Sequence, residues 1–331
     1  MSITSIKFSS IRKTFLVSAL ALGLVNCKSD KVEVEEVFDF SKTFTGAVVT
    51  PITVTKPAPT TYTPGSLTVP AAFTALATSA TSGTPPAELT ATASKISPAL
   101  ESAATAALTP AVLADLAAGK AVSADVQKVL GDVVKAADLS AFLPTKVAPA
   151  VDGKAISGRI AGSSGKINTI NGGTETFSTA NACDDAIKKA FDDAIKVLDD
   201  GLAAELAKVK AAYDENIKAA VVTTEKQNAL KRRDDQLVII NKFLADGLKL
   251  GAKFTPIIVA IYYEFYKANE EVYNNEIKGL DAKAKAITDK ANAARDADTK
   301  KATDDHKTKI DDLKKIFDKE KEKCHNQGGG K

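Results

Sequence analysis

The chain of 331 residues has no tryptophan, one methionine, two histidines and three cysteines. The two histidines, His306 and His325, leave little material for a histidine metal site or an acid–base relay. His325 adjoins Cys324, but one Cys-His pair is not a zinc site. The formal net charge is only +3. Without a clustered basic face, that argues against a dedicated nucleic-acid binder. No apolar run is long enough to span a bilayer as a helix. Acidic pairs such as Asp304-Asp305 and Asp311-Asp312 are adjacent in sequence and diverge on a helix, whereas catalytic carboxylates must converge. The run Gly162-Ser-Ser-Gly165-Lys166 is not a phosphate loop, because positions 160 and 167 are both Ile. No enzyme is expected from these residues, and no cofactor or metal.

What is present starts at the N-terminus. Lys7, Arg12 and Lys13 precede an uncharged apolar run, Thr14 to Val25. That run suits a signal-peptide core and is too short to cross a membrane. It ends at Leu24-Val25-Asn26-Cys27, followed by Lys28-Ser29-Asp30. This resembles a bacterial lipoprotein signal, and Asn26 before the cysteine resembles the looser lipobox of spirochaetal lipoproteins. The resemblance implies that residues 1–26 are removed and that Cys27 is acylated, with palmitate among its chains. It implies a cell-envelope protein held to a membrane by its N-terminus. Lys28, in place of the Asp that retains many lipoproteins in the inner membrane, leans towards the outer membrane.

Residues 27–108 read as a tether. Lys31–Phe40 alternates as a strand can, and Phe44–Thr55 is rich in Val, Ile and Thr. Pro51, Pro57, Pro59 and Pro64 then break regular structure. Ala71 to Ala107 is Ala, Thr, Ser and Pro, which is expected to bury little and to form a mobile linker. Residues 109–146 read as a small helical unit, opening on Thr109-Pro110 and again at Ser123. Residues 147–178 are Gly-rich, with a possible β-hairpin around Asn171-Gly172-Gly173.

Residues 179–327 read as one long helical hairpin. The fold class is therefore mainly α: an antiparallel hairpin or coiled coil, with an elongated helical bundle as the alternative, after a tether with minor β structure. Ile187, Phe191, Ile195, Leu198, Leu202, Leu206, Val209, Tyr213 and Ile217 step by 4, 4 and 3, an eleven-residue repeat of ~3.67 residues per turn. A break is expected near Thr224-Glu-Lys-Gln227, which resembles a capping box. Between 277 and 298 the steps look heptad. The only strong breaker region is Gly251–Pro256, and the midpoint of Cys183 and Cys324 falls inside it. A chain folded back there brings the two cysteines together, and outside the cytoplasm they are expected to pair.

Around the bend, residues 237–266 are apolar on most of the helix circumference. A helix apolar all round is normally buried. Phe254, Ile257, Ile258, Ile261, Tyr262 and Phe265 are the candidate interaction tip. Internal packing, a second copy, an envelope or host protein, or lipid are the possible covers. Two functional expectations result: a lipid-anchored spacer or interaction module, and a membrane-perturbing protein that uses the tip.

Overall fold

The computed structural model describes residues 38–156 and 182–327. The signal segment, Cys27, most of the 31–40 strand, the phosphate-loop-like run and the 167–177 hairpin lie outside them. A strap, residues 40–61, with turns at 41–46 and no regular structure beyond them, leads into β1 (Tyr62–Thr63) and β2 (Ser66–Thr68). Five helices follow: α1 (Ala71–Ser82), α2 (Ala87–Ala93), α3 (Pro98–Ala107), α4 (Pro110–Ala117) and α5 (Ala124–Ala137). A 3-10 turn (Leu139–Phe142) then leads to β3 (Thr145–Val147), β4 (Ala150–Val151) and β5 (Lys154–Ala155). The long elements are α6 (Ala182–Lys218), α7 (Thr223–Gly247) and α8 (Thr255–Gln327).

α8 alone has 73 residues, roughly 110 Å at ~1.5 Å each. α6 and α7 run end to end as the opposing leg, so the hairpin is realised and the compact three-helix bundle is not. α6 ends at Lys218 and α7 restarts at Thr223 with Val222 as its N-cap and no side-chain cap. The expected capping box at Thr224 therefore does not form. Instead, Glu225 and Lys226 in the first turn of α7 pair across to Lys283 and Asp281 of α8. The bend falls where the sequence places it: Gly251, at φ 107°, provides a backbone angle that side chains resist. Gly247 permits the legs to close, since a Cβ there would stand 2.5 Å from Cγ2 of Ile258.

The eleven-residue repeat holds on both legs. Ile187, Leu198 and Val209 are buried eleven apart on α6; Leu280, Ala291, Ala302 and Leu313 are buried eleven apart on α8. The heptad expected over 277–298 gives way to this spacing. Two helices in long contact must share one period, and at ~3.67 residues per turn the pair stays nearly straight.

Ala302 presents only a methyl group between the legs, and the strap covers it. Ile52 packs with Val209 and Ala302. Phe44, Ala47 and Val49 pack with Ile187, Leu198, Leu313 and Phe317 near the base. Phe44–Thr55 thus begins in a turn and is extended only from about Val49, and it pairs with no strand. The N–H groups of Thr50, Ile52 and Thr55 are satisfied by carboxylates on the helices instead. From Phe44 to Tyr62 the strap has 18 residues, about 60 Å at ~3.3 Å each. The stretch of α8 it follows, from Phe317 to Glu276, has 41 residues, about 62 Å at ~1.5 Å each. The strap is not stretched evenly: it turns at residues 41–46, and the five residues from Thr50 to Thr55 match only the seven from Asp305 to Asp298, about 10.5 Å.

The linker expected over 71–107 is three helices. Prolines begin these helices and the next: Pro70 and Pro86 are N-caps, Pro98 occupies the first turn of α3, and Pro110, as expected, the first turn of α4. There the missing N–H costs nothing. Ser97, Thr109 and Ser123 cap their helices by accepting from the N–H of Leu100, Val112 and Val126. Together α1–α5 form a head on the bend. At its neck the entering strands meet the leaving ones: β1 pairs with β4 and β2 with β3, both antiparallel. β4 turns into β5 through Asp152 and Gly153, both at positive φ, as a two-residue hairpin requires. Gly279 of α8 accommodates this neck, with a Cβ there 3.0 Å from the Tyr62 ring and 3.2 Å from Pro149.

Candidate functional site

At the base, Cys183 and Cys324 form a disulfide across 141 residues of chain, with their Cα atoms 5.9 Å apart. The pairing read from the bend midpoint is therefore present. Phe191 stands between Phe44 and Phe317, with ring centroids 5.9 and 4.8 Å away. Asp184 is buried in the first turn of α6, where the helix dipole favours an anion. Its Oδ2 lies 3.9 Å from His325 Nε2. Its Oδ1 is buried without a hydrogen-bond partner. The other histidine, His306, bonds Asp199 across the two legs at 2.8 Å.

At the tip, the six residues proposed as an interaction surface are interior. Phe254 is 8% exposed, and Ile257, Ile258, Ile261, Tyr262 and Phe265 lie between 0 and 1%. The surface reading of these residues is corrected: the tip carries its own cover. The reason lies in the segment taken for a linker. Phe73 of α1 stacks between Phe243 and Phe265, with ring centroids 4.6 and 4.1 Å away. Leu76, Leu89, Leu130, Val133 and Leu139 complete one core with the bend. The Tyr262 hydroxyl donates to the Leu116 carbonyl at 2.6 Å, and burial pushes its pKa up to about 12. Tyr266 donates to the carbonyl of Gly119 at 2.8 Å. Asp246, buried beside α1, accepts from Lys242, from Lys249 and from the Thr81 hydroxyl. Those two lysines hold its carboxyl well below the usual range.

Along the rod, three carboxylates hold the strap. The N–H and hydroxyl of Thr50 both donate to Asp305, at 2.8 and 3.0 Å. The N–H of Ile52 donates to Glu205 at 3.2 Å. The N–H and hydroxyl of Thr55 donate to Asp298 at 2.7 and 2.8 Å. Glu205 and Asp298 are 6 and 5% exposed. Lys208 and then the Ile52 N–H lower the Glu205 pKa. Nothing in the spacing of these residues foretold their partners, which lie 153 to 255 positions away.

At the neck, a cleft of about 290 Å³ lies between β2, α7 and α8. Arg232 there donates twice to the buried Glu276 carboxylate, at 2.9 Å each. Its charge is thereby committed within the fold. Among the described residues, no cluster of three or more His, Cys, Asp or Glu is placed to hold a metal ion, and no helix is long and apolar enough to cross a membrane. Compared with known proteins, the chain matches no family model, no curated protein and no solved structure.

Proposed function

We propose that this protein is a lipid-anchored spacer of the bacterial cell envelope, which holds its five-helix head away from the membrane on a stapled hairpin. The observation that carries this reading is the rod: α8 runs roughly 110 Å from a disulfide-closed base to a head-capped bend. A ligand-binding domain or an enzyme needs no such length; a spacer does. The lipobox-like Leu24-Val25-Asn26-Cys27 supplies the anchor. Cys27 precedes Phe40 by thirteen residues, at most about 46 Å of chain, and Phe40 packs in the base cluster. Acylation at Cys27 therefore serves the stapled end, with the outer membrane favoured by Lys28. The partner of the head is a second copy or an envelope or host protein.

Intact mass of the protein from its native membrane, with and without reductant, tests the reading. Acylation at Cys27 gives a mass that starts at residue 27 and carries the acyl chains, with two hydrogens gained on reduction. An unprocessed or unacylated chain overturns the anchor. Crosslinking on cells that captured neither a second copy nor an envelope or host protein would remove the interaction role.

A further inference from the structure

We propose that the strap is a releasable tie that gives the head two heights. It is an independent layer on a hairpin that is closed without it. Residues 44–60 make no ladder hydrogen bonds, the Thr61 carbonyl being the first to accept from the neck, from the Asp152 N–H, and the apolar and carboxylate contacts of the strap with the rod are concentrated in Phe44–Thr55. Above Thr55, Lys56–Thr60 arch over a cavity of about 440 Å³ lined by Ala219 and Ile287, and Lys290 of α8 holds the far end of the arch by donating to the Pro59 carbonyl and the Thr60 hydroxyl, at 3.3 and 3.0 Å. Pro57 and Pro59 in that arch have no N–H to donate. The five bonds from Thr50, Ile52 and Thr55 all go to side-chain carboxylates, so losing them leaves every helix hydrogen bond intact. Release is therefore a local opening that leaves the hairpin and the head folded.

The geometry makes that opening consequential. Docked, the strap begins at the base. Released over Phe44–Thr55, it is attached to the rod only at Lys290 and at the neck, near Gly279 and about 68 Å above Cys324 at ~1.5 Å per residue. Even eighteen free residues have an end-to-end distance of only about 23 Å. The Phe44 end of the strap then sits near the neck rather than at the base, an anchor upstream of it is freed from the base, and the rod pivots about its own middle. This change in height rests on anchorage at Cys27; the opening itself does not.

The experiment is fluorescence energy transfer in the full chain, with dyes on non-canonical side chains at Lys42 and Lys319, in solution and without lipid. The native chain should show a dominant high-transfer state and a minor low-transfer state. Asp298→Ala with Asp305→Ala should enlarge the minor state at least about tenfold, the factor expected from losing one charge-assisted hydrogen bond. The strap-side pair Thr50→Ala with Thr55→Ala should do the same with the hairpin carboxylates in place. Far-ultraviolet ellipticity and the melting of the head should not change in either pair. No growth of the low-transfer state overturns the proposal. So does growth that occurs only with loss of helix, because the strap would then be integral to the fold. Failure of flotation with liposomes would instead count against the anchor.

Discussion

Replacing Phe73 with alanine distinguishes a head from a tether. Phe73 is 3% exposed and lies between the rings of Phe243 and Phe265, whose centroids are 4.6 and 4.1 Å away. A Phe→Ala change at a buried site costs about 3–5 kcal/mol, through lost transfer energy and the cavity left behind. Each aromatic pair adds roughly 0.5–1.5 kcal/mol beyond burial, and two are lost here. The expected loss is thus about 4 kcal/mol or more, on a residue in a segment whose composition reads as mobile. The neighbouring Thr74, exposed on the same helix, is the control, and Thr74→Ala should stay within about 0.5 kcal/mol. Urea unfolding followed by tyrosine fluorescence gives the difference in midpoint at constant slope. Hydrogen exchange then shows where the loss falls: amides of α1, α5 and residues 240–266 should lose protection together. A loss below about 0.5 kcal/mol for Phe73→Ala would sink the head assignment. So would loss of protection confined to α1, since the tip would then be buried by something else.

Further expectations concern the bend, the base, acid and lipid. Gly247→Ala should cost about 1–3 kcal/mol, because the added Cβ meets Ile258 at the closest approach of the legs; thermal melts check it, and an unchanged melting temperature would mean the legs are farther apart. Cys183→Ser with Cys324→Ser should remove up to about 5 kcal/mol, the chain-entropy value for a loop of this length. Exchange should rise first in α6 and the last turns of α8, and an unchanged urea midpoint would contradict it. Asp246 and Glu205 have folded pKa values below their unfolded ones, so they stabilise the fold above an unfolded pKa of about 4 and lose that contribution as the pH falls below it. Melting temperature should therefore drop on the acid side and stay flat above about pH 5.5, and Asp246→Asn should flatten the drop. With its tip residues covered, the intact protein should release no dye from liposomes; leakage abolished by Ile258→Asp would restore the membrane-perturbing reading.

The hairpin was legible because its signals are local or symmetric. The 4-4-3 spacing names the buried face of α6, and Gly251–Pro256 is the only strong interruption between Cys183 and Cys324. The last two helices of the head were read from Thr109-Pro110 and Ser123, but the first three were not legible, for two physical reasons. Short Ala- and Thr-rich helices have weak apolar patterns, and α1 buries only Phe73, Leu76 and Ala80. Pro70, Pro86 and Pro98 lie in a Pro-, Ala- and Thr-rich stretch that reads as linker, yet proline is equally at home at a helix start, as Thr109-Pro110 was read. The cap Ser97, directly before Pro98, was the available signal. Asp152-Gly153 between Val151 and Lys154 was another, since that pair is a strong hairpin signal. The excess of apolar side chains at 237–266 was itself evidence of a cover within the chain. The strap could not be read at all, because Thr50 and Asp305 are joined only by the tertiary fold.

The match between strap and rod also governs how such a protein can change in length. Eleven helical residues advance about 16.5 Å, and five extended residues advance about the same. Deleting one residue between Thr50 and Thr55 takes one of the two out of register with its carboxylate, Asp305 or Asp298. Deleting a few residues from one leg rotates its buried face out of register with the other. The change that preserves every contact removes eleven residues from α8, eleven from α6 and five from the strap at once. Insertions follow the same rule in reverse. Height in this architecture is therefore quantised, and natural or engineered variants of the rod should differ in steps of about 16.5 Å, with the three segments growing or shrinking together.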